Sequence, residues 1–476
     1  MRISLLILLL IGLAAFEAPL FAQNVKADSK GIEGVWQGKL SVQGTTLRLV
    51  MKITKKGDAL TATMDSLDQG AKDIPMDTVT FKQRKLFLEL KAITGTFDGT
   101  MSADGAEIDG NWKQGGVEFP LLLKRDANVP VIRRSQEPVK PYPYVEEEVS
   151  YSNPQAAGVT LAGTLTLPKG AGPFPAVLLI TGSGPQDRNE ELLGHKPFLV
   201  LSDYLTRRGI AVLRVDDRGI AKSTGNFELA TTKDFATDVL AGVAFLKAHA
   251  KIDRAHIGLI GHSEGGVIAP IAATQSSDIA FIVLMAGTGV NGEQILYEQS
   301  ALIAKAAGAP DEAIAAGRAV NEKLYAVVRQ ESDPAVAAKK VDEIFQAEVK
   351  KLPEAQQKAA AAGLSAQAKA LNSPWMRYFL TFEPKTALKQ VKCPLLAING
   401  EKDLQVPPKQ NLPAIEAALK EGGNKDFTLK ELPSLNHLFQ TCKTGSPSEY
   451  STIDETIAPI ALQTMGDWIL KHTAKK

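Results

Sequence analysis

Between residues 31 and 125, apolar and polar residues alternate in short runs: GVWQGKL, TLRLVMKIT, ALTATMDS, DTVTFKQ, KLFLELK, GTFDGTMS, EIDGNWKQ and VEFPLLLK. A period of two is the mark of a strand with one buried face. Lys56-Gly57-Asp58, Asp104-Gly105 and Gly115-Gly116 place turn residues between the runs. Eight short strands in a row predict an antiparallel barrel. In so small a barrel, side chains are expected to fill the interior, so a supporting domain is preferred over a ligand cup. A proline-rich connector follows at 126–144, with Pro130, Pro138, Pro141 and Pro143, and such a segment is stiff and extended.

From residue 145 the pattern changes. VTLAGTLTLP, PAVLLITGSG, IAVLRVDDRG, IGLIGHSEG, AFIVLMAGTG, PLLAINGEKD and FTLKELP are apolar runs of strand length. Helical spacing separates several of them, as in LSDYLTRRG and TDVLAGVAFLKAHA. Strand and helix in alternation predict a mostly parallel sheet covered on both faces, with ligands at the carboxyl ends of its strands. An insertion at about 290–388 carries helical spacing, as at Val341, Ile344, Phe345 and Val349, and is expected to cap those strand ends. Its last part places Trp375, Tyr378, Phe379 and Phe382 on one helix face, a stripe better suited to docking the cap than to lining a substrate wall.

Composition narrows the function classes. The 476 residues are 44% hydrophobic and 22% charged, with a formal net charge of +1. That balance gives no electrostatic case for nucleic acid or an anionic membrane surface, and it points to a small-molecule partner. The N-terminus, MRISLLILLLIGLAAFEAPLFAQ, has the plan of a secretory signal cleaved near Ala22. Residues 1–22 are therefore read as a signal peptide that exports the protein to the periplasm or the medium. A retained anchor is the competing reading, and no stable membrane insertion is expected after cleavage. Cys393 begins one strand and Cys442 lies past the far end of the next, so no bridge is expected between them.

The chemistry centres on IGLIGHSEGG, residues 257–266, where a serine stands among four glycines between a strand and a helix. A sharp strand-to-helix turn displays the residue at its apex, and small neighbours let the two elements approach. A nucleophilic Ser263 needs a base. His249 and His256 belong to the wrong end of the sheet, His262 should point away from the elbow, and His472 lies in the tail. His195 could line the pocket. His437, just past the last strand, is at the right end and is read as the base. Asp403, after the preceding strand, can reach that imidazole from behind and fix its tautomer.

With the elbow Gly261-His262-Ser263-Glu264-Gly265 and the order Ser263, Asp403, His437, residues 145–476 resemble the α/β-hydrolase superfamily. The layout is similar to exported bacterial two-domain esterases, and Gly34-Val35-Trp36 resembles a lipocalin-type opening of the first domain. The resemblance implies two backbone oxyanion donors. One is the N–H of Glu264 and the other that of Ser183, with Gly184 as the alternative. It also implies a Ser-His-Asp acyl-enzyme mechanism on small to medium acyl esters, without metal or organic cofactor. VDDRGIAKSTG resembles the family's strand-four turn, and ion pairing of Asp217 and Arg218 is expected to brace it. Two other readings remain. A serine aminopeptidase or other acyl-transfer hydrolase would hold a substrate amine through Glu264, Glu190 or Glu191. A ligand-binding protein would use the hydrolase fold as an inactive scaffold.

Overall fold

The computed structural model describes residues 31–474 except 43–44, 58, 68–70, 94, 115–116, 127–133, 355–356, 358–360 and 362–363. The signal-like residues 1–22 lie outside the described residues. The first sheet contains β1 (Gly34–Val42), β2 (Thr45–Lys56), β3 (Ala59–Ser66), β4 (Ala71–Pro75), β5 (Thr78–Lys82), β6 (Lys85–Leu90), β7 (Gly95–Met101), β8 (Glu107–Gln114) and β9 (Val117–Arg125). Its order is β4-β3-β2-β1-β9-β8-β7-β6-β5, antiparallel throughout. The first strand pairs with both the second and the last, while β4 and β5 end the order without pairing to each other among the described residues. The sheet is therefore an incomplete barrel with nine strands, one more than the alternation predicts.

Its interior is filled. Trp36, Met51, Leu88, Phe97 and Trp112 belong to one buried apolar cluster. Trp36 satisfies its indole by donating to Ile32 O at 2.8 Å, and Arg125 lies over the ring at 4.1 Å.

The second sheet runs β10 (Val145–Ser152), β11 (Thr160–Leu167), β13 (Ala211–Val215), β12 (Phe174–Ile180), β14 (Ile252–His262), β15 (Phe281–Met285), β16 (Leu395–Gly400) and β17 (Phe427–Leu432) in spatial order. The pairings that join β10 to β11 and β11 to β13 are antiparallel and the rest are parallel. One crossover at β12/β13 in an otherwise progressive order, with helices on both faces, is the α/β-hydrolase architecture. Strand β12 shows why both faces need cover. Leu178 and Ile180 point into a core shared with α2 (Thr232–Ala248) and α3 (Gly265–Ala273), whereas Val177 and Leu179 point into one shared with α1 (Pro197–Arg207) and α11 (Pro459–Thr473). Helix α10 (Pro408–Glu421), between β16 and β17 in the chain, packs on the same face as α2 and α3 through Ile415, Ala418 and Leu419.

The insertion after β15 forms α4 (Gly292–Ala306), α5 (Asp311–Gln330), α6 (Pro334–Val349), α7 (Leu364–Leu371), α8 (Pro374–Thr381) and α9 (Pro384–Leu388). The cap has its own core around Leu324, Val328, Val341, Met376 and Leu380. Both cysteines are free.

The connector joins the second sheet's unit before that unit's first strand. Arg134 donates to Leu193 O and Ser451 O at 2.9 and 2.8 Å, and Gln136 exchanges bonds with Ile457 O and the amide of Thr456.

Candidate active site

Strand β14 delivers Ser263 and α3 leaves it. At the apex, Ser263 adopts φ +53°, a left-handed conformation that costs a non-glycine residue on the order of 1–3 kcal/mol. The neighbouring glycines explain how the turn closes. A Cβ on Gly261 would lie 2.0 Å from Gly265 O, and one on Gly265 would lie 2.2 Å from Ile180 O. Side chains at either position would force strand and helix apart. The Ser263 amide donates to Met285 O at 2.8 Å, so the apex is fixed from behind.

Asp403 and His437 meet at the same edge. Asp403, in the turn after β16, accepts from the amides of Gln405 and Val406 through Oδ1, both at 2.8 Å. Its other oxygen, Oδ2, accepts from His437 Nδ1 at 2.8 Å. Both residues are buried. A carboxylate at Nδ1 fixes the tautomer that leaves Nε2 with its lone pair, the form needed to accept a proton.

The loop after β12 carries the candidate oxyanion donor. Gly182 N–H is already taken by Glu190 Oε1 at 2.8 Å, whereas among the described residues the amides of Ser183 and Glu264 find no acceptor. Two free N–H groups flanking a displayed serine are what a developing oxyanion needs. Asp217 holds this loop, but not by the expected ion pair. It accepts from Thr181 Oγ1 at 2.7 Å and from the Gln186 amide at 3.0 Å. Burial pushes its carboxyl well above the usual carboxylate range despite those two bonds. Arg218 pairs instead with Asp238 at 2.7 Å.

Glu264 links the elbow to the cap. A capping box between Thr231 and Asp234 starts α2 and presents Thr232, whose hydroxyl donates to Glu264 Oε1 at 2.7 Å. Ser373 caps α8, with Pro374 in its first turn. That start presents Trp375, whose indole donates to the same oxygen at 2.7 Å. Burial raises the Glu264 carboxyl above its ordinary value against these two bonds. Trp375 also stacks on Phe379 with centroids 5.0 Å apart, so the aromatic stripe joins the cap to the sheet domain. Glu264 borders two cavities. One, of about 50 Å³, passes Gly182, Asp217, Phe227 and Phe235; the other, of about 10 Å³, lies between core and cap beside Phe379 and Phe382. Ser263 itself lines neither.

Several expectations about the histidines and acids change. His195 lines neither of these cavities: it is buried, with Nδ1 at 2.9 Å from Thr456 Oγ1 and Nε2 at 3.1 Å from both Tyr450 O and Gln440 Nε2. Burial, with the nearby Arg134 charge, lowers its pKa to about 4, so it is neutral at pH 7. His262 does not turn away from the site. Its Nδ1 lies 2.9 Å from Glu190 Oε1, its Nε2 lies 3.1 Å from His437 O, and its ring centroid is 4.9 Å from that of His437. Glu190 is thereby committed to protein partners rather than open to a substrate amine. His249, His256 and His472 pair with Glu147, Asp253 and Trp468 O respectively, outside this cluster.

Comparison with known proteins adds a family. The model of the X-Pro dipeptidyl-peptidase (S15) family matches residues 157–430. Esterase EstD of Thermotoga maritima is 29% identical over 209 residues, 43% of this chain and 47% of that protein. The chain thus spans about half the length of this curated relative. Among solved structures, the α/β hydrolase GrgF from Penicillium sp. sh18 is similar with a TM-score of 0.45 and 15% identity, over 70% of this chain and 100% of that one. The Pyrococcus furiosus esterase Pf2001 is similar with a TM-score of 0.40 and 17% identity, over 69% of this chain and 92% of that one.

Proposed function

This chain belongs to the X-Pro dipeptidyl-peptidase (S15) family, and we propose that it is a carboxylic ester hydrolase acting through Ser263, His437 and Asp403. The observation that carries the proposal is the 2.8 Å bond from His437 to Asp403 at the strand edge that holds Ser263 at φ +53°. His437 Nε2 takes the Ser263 hydroxyl proton as Oγ attacks the ester carbonyl. The amides of Glu264 and Ser183 hold the oxyanion, each worth about 3 kcal/mol in the transition state. Collapse expels the alcohol, protonated by His437, and leaves an acyl-enzyme. Water, deprotonated by the same nitrogen, then releases the acid and restores the serine. Asp403 keeps the imidazole oriented and stabilises its charge. The cycle calls on no metal or organic cofactor. The leader-like residues 1–22 support export to the periplasm or the medium.

A second reading takes amine-bearing acyl groups, as the family description suggests. The observation in its favour is that Glu264 and Asp217 wall one cavity beside the elbow. One experiment separates the two: hydrolysis of p-nitrophenyl esters from acetate to palmitate and of alanyl-prolyl-p-nitroanilide, by the parent protein and by Ser263→Ala. Ester turnover that falls on the order of a thousandfold or more in the variant supports the proposal, and the preferred chain sizes the acyl pocket. Turnover of the anilide alone supports the second reading. Equal activity of both proteins sinks the serine mechanism.

A further inference from the structure

A second histidine–carboxylate pair lies beside the first, and the proposed mechanism gives it no task. His262 and Glu190 are 6% and 5% exposed, so both are withdrawn from water. Each ring nitrogen of His262 faces an oxygen: Nδ1 faces Glu190 Oε1 at 2.9 Å and Nε2 faces His437 O at 3.1 Å. A backbone carbonyl can only accept, so Nε2 carries a hydrogen. A carboxylate at Nδ1 is likewise an acceptor. With Glu190 ionised, the arrangement is satisfied on both sides when the ring holds two protons and a positive charge, balanced by Glu190.

The contacts at either end of this pair reach the two moving parts of the chemistry. At one end, Nε2–H grips the main chain of His437 itself, with the two rings 4.9 Å apart. At the other end, the same Oε1 that faces His262 accepts the Gly182 amide at 2.8 Å, one residue before the candidate oxyanion donor Ser183. Gly182 has little room to shift. A Cβ placed there would meet Ser263 Cβ at 3.3 Å and Glu190 Oε1 at 3.5 Å.

We infer that Glu190 and a doubly protonated His262 form a positioning dyad that ties the loop of the base to the loop of the oxyanion donor across the elbow. This inference rests on the Ser-His-Asp reading. The dyad touches no reacting atom, and it acts by keeping His437 and Ser183 in register with Ser263 between them. The charged groups around the ring favour its protonation. Burial opposes the charge, but Glu190, the His437 carbonyl and the more distant Asp403 together raise His262 above its ordinary value. His437 is the other titratable group against the ring, while Phe439 meets its edge with centroids 6.4 Å apart. The sign follows. The imidazolium of the dyad is lost as pH rises through the raised His262 value, which lies above the ordinary value of about 6.5.

The test has two independent readouts. The first is nitrogen-15 NMR of the histidine rings in Ser263→Ala, with His262 assigned by its disappearance in a His262→Gln protein. Followed through a pH titration, both ring nitrogens should stay protonated to a higher pH than in an ordinary histidine, whose second proton leaves at about 6.5; a ring that loses it at or below that value would overturn the dyad. The second is ester kinetics of His262→Gln, Glu190→Gln and Glu190→Asp. The first two should lose on the order of a hundredfold in kcat with KM nearly unchanged, and Glu190→Asp should recover part of the loss. The fall of parental activity at alkaline pH should be flattened in His262→Gln. A folded His262→Gln protein with parental kcat and an unchanged alkaline limb overturns the inference. If that variant does not fold, the NMR readout on Ser263→Ala decides through assignment by Glu190→Gln. An active Ser263→Ala protein defeats the serine reading itself, whereas an inactive one beside a fully active His262→Gln defeats the dyad alone.

Discussion

In the nine-stranded sheet the buried interior is Trp36, Met51, Leu88, Phe97 and Trp112, and among its described residues only Asp65 and Ser66 are buried polar side chains. At the carboxyl edge of the eight-stranded sheet, Glu190, His262, Glu264, Asp403, Asn436 and His437 are all buried within a few strand ends of one another. Burying charge is costly unless every group is paired, and the second sheet meets that demand with bonds of 2.7–3.1 Å at each acid and histidine. The first sheet stores its stability in volume, the second stores function in matched donors and acceptors. The two should therefore fail differently under substitution.

The sharpest contrast is Asp403→Asn, which preserves shape while placing an amide where His437 needs an acceptor. Its kcat should fall roughly ten-thousandfold with the protein still folded, read from ester kinetics beside a thermal melt. In the first sheet the pattern should invert. Trp36→Ala should destabilise by about 3–5 kcal/mol in denaturant titration while kcat of the folded fraction is unchanged. A kinetic defect there would break the comparison and give the first sheet a part in turnover. The smallest effect belongs to His195. Its folded value of about 4 lies below the ordinary 6.5, so the unfolded chain binds the proton first as pH falls. Stability should be full above about 6.5 and decline toward pH 4, by on the order of 3 kcal/mol, and His195→Asn should flatten that decline.

The hydrophobic pattern made every interior strand legible and hid two of the four edge strands. Both strands that the hydrophobic pattern misses, β4 and β10, terminate their sheets. AKDIP is short and ends on proline, a residue an edge tolerates because one side needs no ladder bond. VEEEVSYS carries three consecutive glutamates on a strand with no fully buried position, which masks its period. The elbow could be read because its constraint is local: glycines on both sides of one serine. Asp403 and His437 could be read because strand ends and chain order fix their edge of the sheet. His262 could not. Its partners lie 72 and 175 positions away, and no local pattern distinguishes a ring turned toward Glu190 from one turned aside. Asp217 shows the same limit, since its neighbour Arg218 suggested an ion pair while Thr181 and Gln186 were the actual donors.

The grip of the connector on the second unit has a practical side for anyone dividing this protein. Arg134 and Gln136 reach into the segment 451–457 and to Leu193, and the same segment supplies the Thr456 hydroxyl that holds His195. A cut placed at the first strand, Val145, would remove those ties and leave the carbonyls of Leu193, Ser451 and Ile457 without their donors. Cleavage upstream of Arg134 keeps them, so the place to part the two halves is set by hydrogen bonding rather than by where the second sheet begins.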